Sequence, residues 1–123
     1  MNPDSTNPPD LKARTKGYAL RIVRLYVALP KKTEAQVLGK QLLRSGTSVG
    51  AHYREAQRAK SDADFINKVE GALQELEESG YWLELLAETA IVPAARLAPL
   101  QKETNELIAI LVTVVRRTKD RGH

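Results

Sequence analysis

The chain predicts an all-α fold, an antiparallel up-down-up-down four-helix bundle. Three observations carry this. Apolar residues recur at spacings of three and four in four long segments, no stretch alternates apolar and polar residues as a strand does, and prolines or polar caps fall between the segments at turn-length intervals. A length of 123 residues with 42% apolar content suits one domain with one core.

Met1 to Pro9 is rich in Pro, Asn and Asp and has no periodicity to bury, so residues 1–10 are expected to form a disordered tail, with Asp10 opening the first helix. Tyr18, Ile22, Leu25 and Leu29 mark one buried face of a helix over about 11–29, which Pro30 ends. Thr33 with Gln36 has the form of a capping box, placing a second helix from about Glu34 to Ala59. Its predicted core stripe is Leu38, Leu42, Ser45, Val49, Tyr53 and Ala56. Gly46 and Gly50 share one flank of it. Each costs a helix about 1 kcal/mol relative to Ala, which points to a close helix approach that offsets the cost.

Ser61 and Asp64 repeat the capping logic, and Asp62 places negative charge at the positive end of a third helix reaching about Thr89. Its predicted seam is Ile66, Val69, Leu73, Leu76, Gly80, Leu83 and Ala87. Pro93 and Pro99 bracket a turn, so the fourth helix is expected from Ala98 to Thr118, with Leu100, Leu107, Leu111 and Val114 along one side. Residues 11–118 thus form the bundle, and the basic tail 119–123 is expected to fray.

Charge is distributed in blocks beneath a net of +4. Residues 1–60 hold twelve Lys/Arg against four Asp/Glu, 61–100 hold two against eight, and 101–123 hold five against three. Such segregation means either a basic partner-binding face or basic helices lying beside an acidic one. The chain has no Cys, which removes disulfides and thiolate chemistry and fits a cytoplasmic location. MNPDSTNPPD has no apolar leader core, and the longest apolar run, Leu107 to Val115, is far short of the roughly 20 residues of a membrane helix, so no membrane association is expected.

The segments QLLRSGTSVGA, YREAQRA, DFI and YWLELL, within a likeness running from about Tyr18 to Thr118, resemble the four-helix bundle proteins encoded in intervening sequences of bacterial 23S ribosomal RNA genes. That family is itself similar to the accessory variability determinant of diversity-generating retroelements. The resemblance implies a binding scaffold without catalytic residues, a homopentamer, and a nucleic-acid role. The family usually carries Asn where this chain has His52, and an alanine-rich segment where it has Glu70 to Ser79.

No enzyme site is predicted. A bundle di-metal centre needs Glu-x-x-His on two helices, whereas His52 and Glu55 stand in reverse order with no second His in the body of the chain. His52 is expected to be a partly buried hydrogen-bonding residue. No phosphate-binding glycine loop or nucleophile elbow occurs, and no cofactor or small-molecule substrate is inferred.

The best functional candidate is the outer face of the second helix, where Lys40, Arg44, Arg54 and Arg58 fall within roughly 40° of one line with no acidic residue on it. Several cations in a row suit the repeating charge of RNA or DNA, and Arg14 and Arg21 of the first helix extend the surface. The alternative is an ordinary solvated face on a structural or protein-interaction adaptor. Aromatic interleaving is missing, so contacts should favour phosphates over bases. Glu70, Glu77, Glu84 and Glu88 form an acidic line on the third helix, expected to pair with Lys and Arg of the first or second helix or of another subunit. Trp82, Leu85 and Leu86 fall away from the predicted seam and are expected to form a self-association surface.

Overall fold

The computed structural model describes residues 10–121 and contains four helices, α1 (Leu11–Ala28), α2 (Thr33–Gln57), α3 (Asp62–Glu88) and α4 (Ala94–Arg121), with no strand among those residues. Consecutive helices run antiparallel. The predicted tail Met1 to Pro9 and the final two residues lie outside the described residues. No described helix is long and apolar enough to cross a membrane.

Each start and stop has a local cause. Asp10 caps α1 by accepting from the backbone N–H of Ala13 at 3.0 Å, and Ser61 caps α3 by accepting from that of Asp64 at 3.0 Å. The capping box expected at Thr33 and Gln36 does not form. α2 begins at Thr33 itself, with Lys32 at the cap position, so the Thr33 hydroxyl lies one residue too late. Gln36 instead donates to the Pro30 carbonyl at 2.9 Å and accepts from the Tyr26 hydroxyl at 3.0 Å, tying the turn to both helices. α3 stops where Ala90 takes a left-handed φ of 57°.

α4 differs most from expectation. It starts at Ala94, with the Arg96 N–H donating to the Pro93 carbonyl at 2.9 Å, and runs through Pro99 to Arg121. Pro99 is sixth in the helix and takes one backbone bond from its second turn. Both Ala95, whose carbonyl loses that donor, and Pro99 are exposed, so water substitutes. Beyond Thr118 the helix is pinned by Arg121 to Asp62 at 3.2 Å and by Lys119 to Glu70 at 3.9 Å.

The core is drawn from all four helices and includes Tyr18, Ile22, Leu42, Val49, Val69, Leu76, Leu83, Leu107 and Leu111. On α3 the buried seam is Val69, Ala72, Leu76, Ser79, Leu83 and Leu86. Val69, Leu76 and Leu83 agree with the predicted seam, but Ile66, Leu73, Gly80 and Ala87 are only partly buried because α3 is turned toward α2, its principal neighbour. Four buried hydroxyls then find partners inside. Ser45 of α2 meets Ser79 of α3 at 2.8 Å. Tyr18 of α1 meets Thr104 of α4 at 2.6 Å, and since Thr104 donates to the Leu100 carbonyl, Tyr18 is the donor in that pair. Burial pushes the Tyr18 phenol above its ordinary pKa, against the opposing pull of the Thr104 and Ser79 hydroxyls.

The glycines of α2 pack where side chains would collide. A Cβ at Gly46 would lie 2.8 Å from Ile22 Cγ1, and one at Gly39 would lie 2.5 Å from Leu29 Cδ1. At Gly50 the nearest atom is Thr15 Oγ1 at 3.3 Å. Three glycines on one flank thus seat α1 against α2. Gly17, by contrast, has nothing within 4 Å of its Cβ position. Gly17→Ala should therefore raise stability by about 1 kcal/mol through helix propensity. Gly46→Ala should lower it, because overpacking against buried Ile22 costs about 1–3 kcal/mol. Thermal or urea unfolding of the two variants checks the opposite signs.

Candidate functional site

The six predicted basic residues fall into two groups once neighbouring helices are in place. Arg14 is spent. Its Nε donates to Glu103 Oε2 at 2.8 Å, and its Nη2 donates to Glu103 Oε1 at 2.8 Å and to Glu106 Oε1 at 2.7 Å. The Glu103 carboxylate is held below its ordinary range by this guanidinium, and the carboxylates drive the Arg14 pKa further up. Arg44 is spent as well, bonded to Glu75 at 3.3 Å and, at shorter range, to Glu78 of α3. The line on α2 contains no acid, as the spacing indicates, but the neighbouring helix brings two to Arg44.

Lys40, Arg54 and Arg58 are exposed and make no ion pair among the described residues. Arg58 sits at the C-cap of α2, where a cation faces the negative end of the helix dipole. Arg21 is partly buried and likewise unpaired among the described residues. From Lys40 to Arg58 the free cations span about 27 Å at 1.5 Å per residue, roughly the length of eight base pairs.

The acidic line on α3 pairs less than expected. Glu70 reaches Lys119, while Glu77, Glu84 and Glu88 are exposed without an ion pair among the described residues. The carboxylates of this helix that pair with Arg44 of α2 are Glu75 and Glu78, outside the predicted line. Their heptad position relative to Val69 and Leu76 is the signal that would have found them. His52 also faces α3. Its imidazole lies against Gly71, where a Cβ would come within 3.0 Å of Nδ1, and its Nε2 is 3.6 Å from Glu75 Oε2. Glu55, 3.9 Å from His52 Nδ1, is shared with Lys68 at 3.6 Å. Among the described residues no group of three or more potential metal ligands converges.

The predicted self-association trio separates too. Leu86 is fully buried and belongs to the bundle core, so it is not available to another chain; the turn of α3 toward α2 carries it inward. Leu85 and Trp82 are partly buried. Trp82 stacks edge-on against Tyr81 with ring centroids 5.1 Å apart, and its indole N–H is buried without a hydrogen-bond partner. Tyr81 itself is 53% exposed, and helical spacing alone does not single it out.

An apolar cleft of about 480 Å³ opens between α1, α2 and α4, lined by Leu11, Tyr53, Ile110 and Val114, with Arg117 at its edge. It lies where α1 and α4 share their thinnest contact. Burial raises the Tyr53 phenol above its ordinary pKa, with the charge of Asp10 adding to the effect.

The family model of the 23S rRNA-intervening sequence protein matches residues 10–113, and the chain belongs to that family. A crystal structure of a protein of unknown function from the S23 ribosomal protein family of Bacteroides thetaiotaomicron is 41% identical, covering 85% of this chain and 97% of its own, with a TM-score of 0.81. No curated protein matches.

Because the folded-state pKa of Glu103 is depressed, its pairing with Arg14 stabilises the fold fully above the ordinary value of 4.5 and is lost as pH falls through the depressed one. The melting-temperature difference between wild type and Glu103→Gln should be greatest near neutrality and close on acidification. Leu86→Ala should cost about 2–5 kcal/mol at every protein concentration. Leu85→Ala should cost less than about 1 kcal/mol, as denaturant titrations of both variants would read.

Proposed function

We propose that this member of the 23S rRNA-intervening sequence protein family is a non-enzymatic, homo-oligomeric scaffold that binds the phosphate backbone of RNA or DNA through α2. One observation carries the reading. Lys40, Arg54 and Arg58 remain exposed and unpaired among the described residues while α3 and α4 bring carboxylates to Arg44 and Arg14. A cation already bonded to two carboxylates gains little from a phosphate, because it must give up equivalent bonds. A free one releases counterions from the nucleic acid at no such loss.

Self-association multiplies a modest surface. Each copy contributes one stripe, and contacts made together raise affinity through effective concentration. Trp82 and Leu85, with exposed Tyr81 beside them, supply the apolar surface for assembly, and the sequence resemblance supports five copies. The likeness of the family to the accessory variability determinant supports the same nucleic-acid role.

Retention of duplex DNA and structured RNA across a salt series tests the function. Wild type should bind with little sequence preference. Arg54→Gln with Arg58→Gln should reduce the slope of log affinity against log salt by about 0.9 for each phosphate left without its arginine. Arg44→Gln should leave it nearly unchanged. Absence of retention at low salt, or equal weakening by Arg44→Gln and by the double variant, would favour the protein-interaction adaptor in its place.

A further inference from the structure

The outward face of α1 has no role in the bundle. Leu20, Val23 and Val27 are 43%, 39% and 69% exposed, half of the large apolar side chains left so open among the described residues. At about 100° per residue, Lys12, Lys16, Leu20, Val23, Arg24 and Val27 fall within about 60° of a single line. α1 contains no Asp or Glu, and Lys12, Lys16 and Arg24 make no ion pair among the described residues. The result is an apolar strip rimmed by positive charge alone.

α3 carries the opposite surface. Tyr81 is exposed at its centre, with Leu85 and Trp82 beside it. Glu77, Glu84 and Glu88 lie within about 60° of Tyr81 around the helix, and all three are exposed and unpaired among the described residues. From Lys16 to Val27 and from Glu77 to Glu88 the two strips have equal length, about 17 Å at 1.5 Å per residue. Within one chain they cannot meet, because both strips are exposed on the outside of the bundle and the backbones of α1 and α3 make no close approach.

We propose that the Lys16–Val27 face of α1 docks on the Glu77–Glu88 face of α3 in a second copy of this chain, head to tail. Charge decides the pairing. Placing α1 against α1, or α3 against α3, sets like charges opposite one another at a cost of several kcal/mol. The crossed arrangement matches cations to carboxylates around an apolar centre. Because the two patches differ, the contact is heterologous, and every added copy leaves one patch of each kind free until the assembly closes on itself. Lys16 and Arg24 are then covered, whereas Lys40, Arg54 and Arg58 lie on another helix and stay open. The inference rests on the self-association reading above and adds which two surfaces meet.

Sedimentation of four proteins over a concentration series tests it, with circular dichroism confirming helicity. These are wild type, Lys16→Glu with Arg24→Glu, Glu77→Lys with Glu84→Lys, and a chain carrying all four changes. Each single-face reversal should weaken assembly by about 100-fold. The chain with both faces reversed should reassemble, since the charges again complement. A wild type that stays monomeric at all concentrations overturns both this contact and the self-association reading. An assembled wild type whose mass neither single-face reversal changes overturns this contact alone, as does a four-change chain that stays dissociated. If the α1 reversal leaves mass unchanged but abolishes duplex retention, that face belongs to the nucleic-acid surface and the proposed docking is wrong.

Discussion

Gly39, Gly46 and Gly50 leave one flank of α2 without side chains, and α1 lies directly in the space, against Leu29, Ile22 and Thr15 in turn. On its other flank α2 meets α3 through Ser45 and Ser79 and through His52 over Gly71. With helices packed on both flanks of α2, Lys40, Arg54 and Arg58 are left exposed on its outer face. Each glycine forgoes about 1 kcal/mol of helix propensity. At Gly46 burial of Ile22 offsets this, since a fully buried Ile is worth about 1.5–3 kcal/mol.

The second layer of organisation is electrostatic. Basic α2 lies between basic α1 and α3, whose only cation is Lys68. Blocks of opposite sign side by side neutralise only where side chains reach across a helix boundary, as Arg14 reaches α4 and Arg44 reaches α3. Their partners are short of full exposure at Glu103 and Glu75, where screening by water is reduced and a hydrogen-bonded carboxylate is worth more than at the open surface. Lys68, Lys119 and Arg121 add cross-helix pairs with Glu55, Glu70 and Asp62, while the other cations of α1 and α2 make no ion pair among the described residues. Segregated charge therefore persists on the outside, basic on α1 and α2 and acidic on α3, as an outward field available to partners.

Much of the architecture is legible from spacing alone. Tyr18, Ile22, Leu42, Val49, Leu76 and Leu107 are core residues for the reason their periodicity states, and Ser61 caps the helix it precedes. Where spacing misleads, the missing information lies on another helix. Leu86 turns inward because α3 rotates toward α2, which no single-helix seam reports. Arg44 and Arg54 stand at opposite edges of the basic line, about 80° apart on a helical wheel, and only the positions of Glu75 and Glu78 on α3 show which edge is paired. Pro99 reads as a helix boundary, yet an exposed carbonyl one turn back lets α4 run through it. The role of the glycines is legible in kind, but the partners Ile22 and Thr15 are not.

Cations held by carboxylates of a neighbouring helix are divided from cations left without one, and the proposed nucleic-acid surface depends on that division. Side-chain arginine resonances, followed by nuclear magnetic resonance during titration with a short DNA duplex, observe it residue by residue. The signals of Arg54 and Arg58 should shift as duplex is added, while those of Arg14 and Arg44 keep their positions. Movement of Arg14 and Arg44 as large as that of Arg54 and Arg58, or duplex addition that leaves every arginine unmoved, would contradict the division.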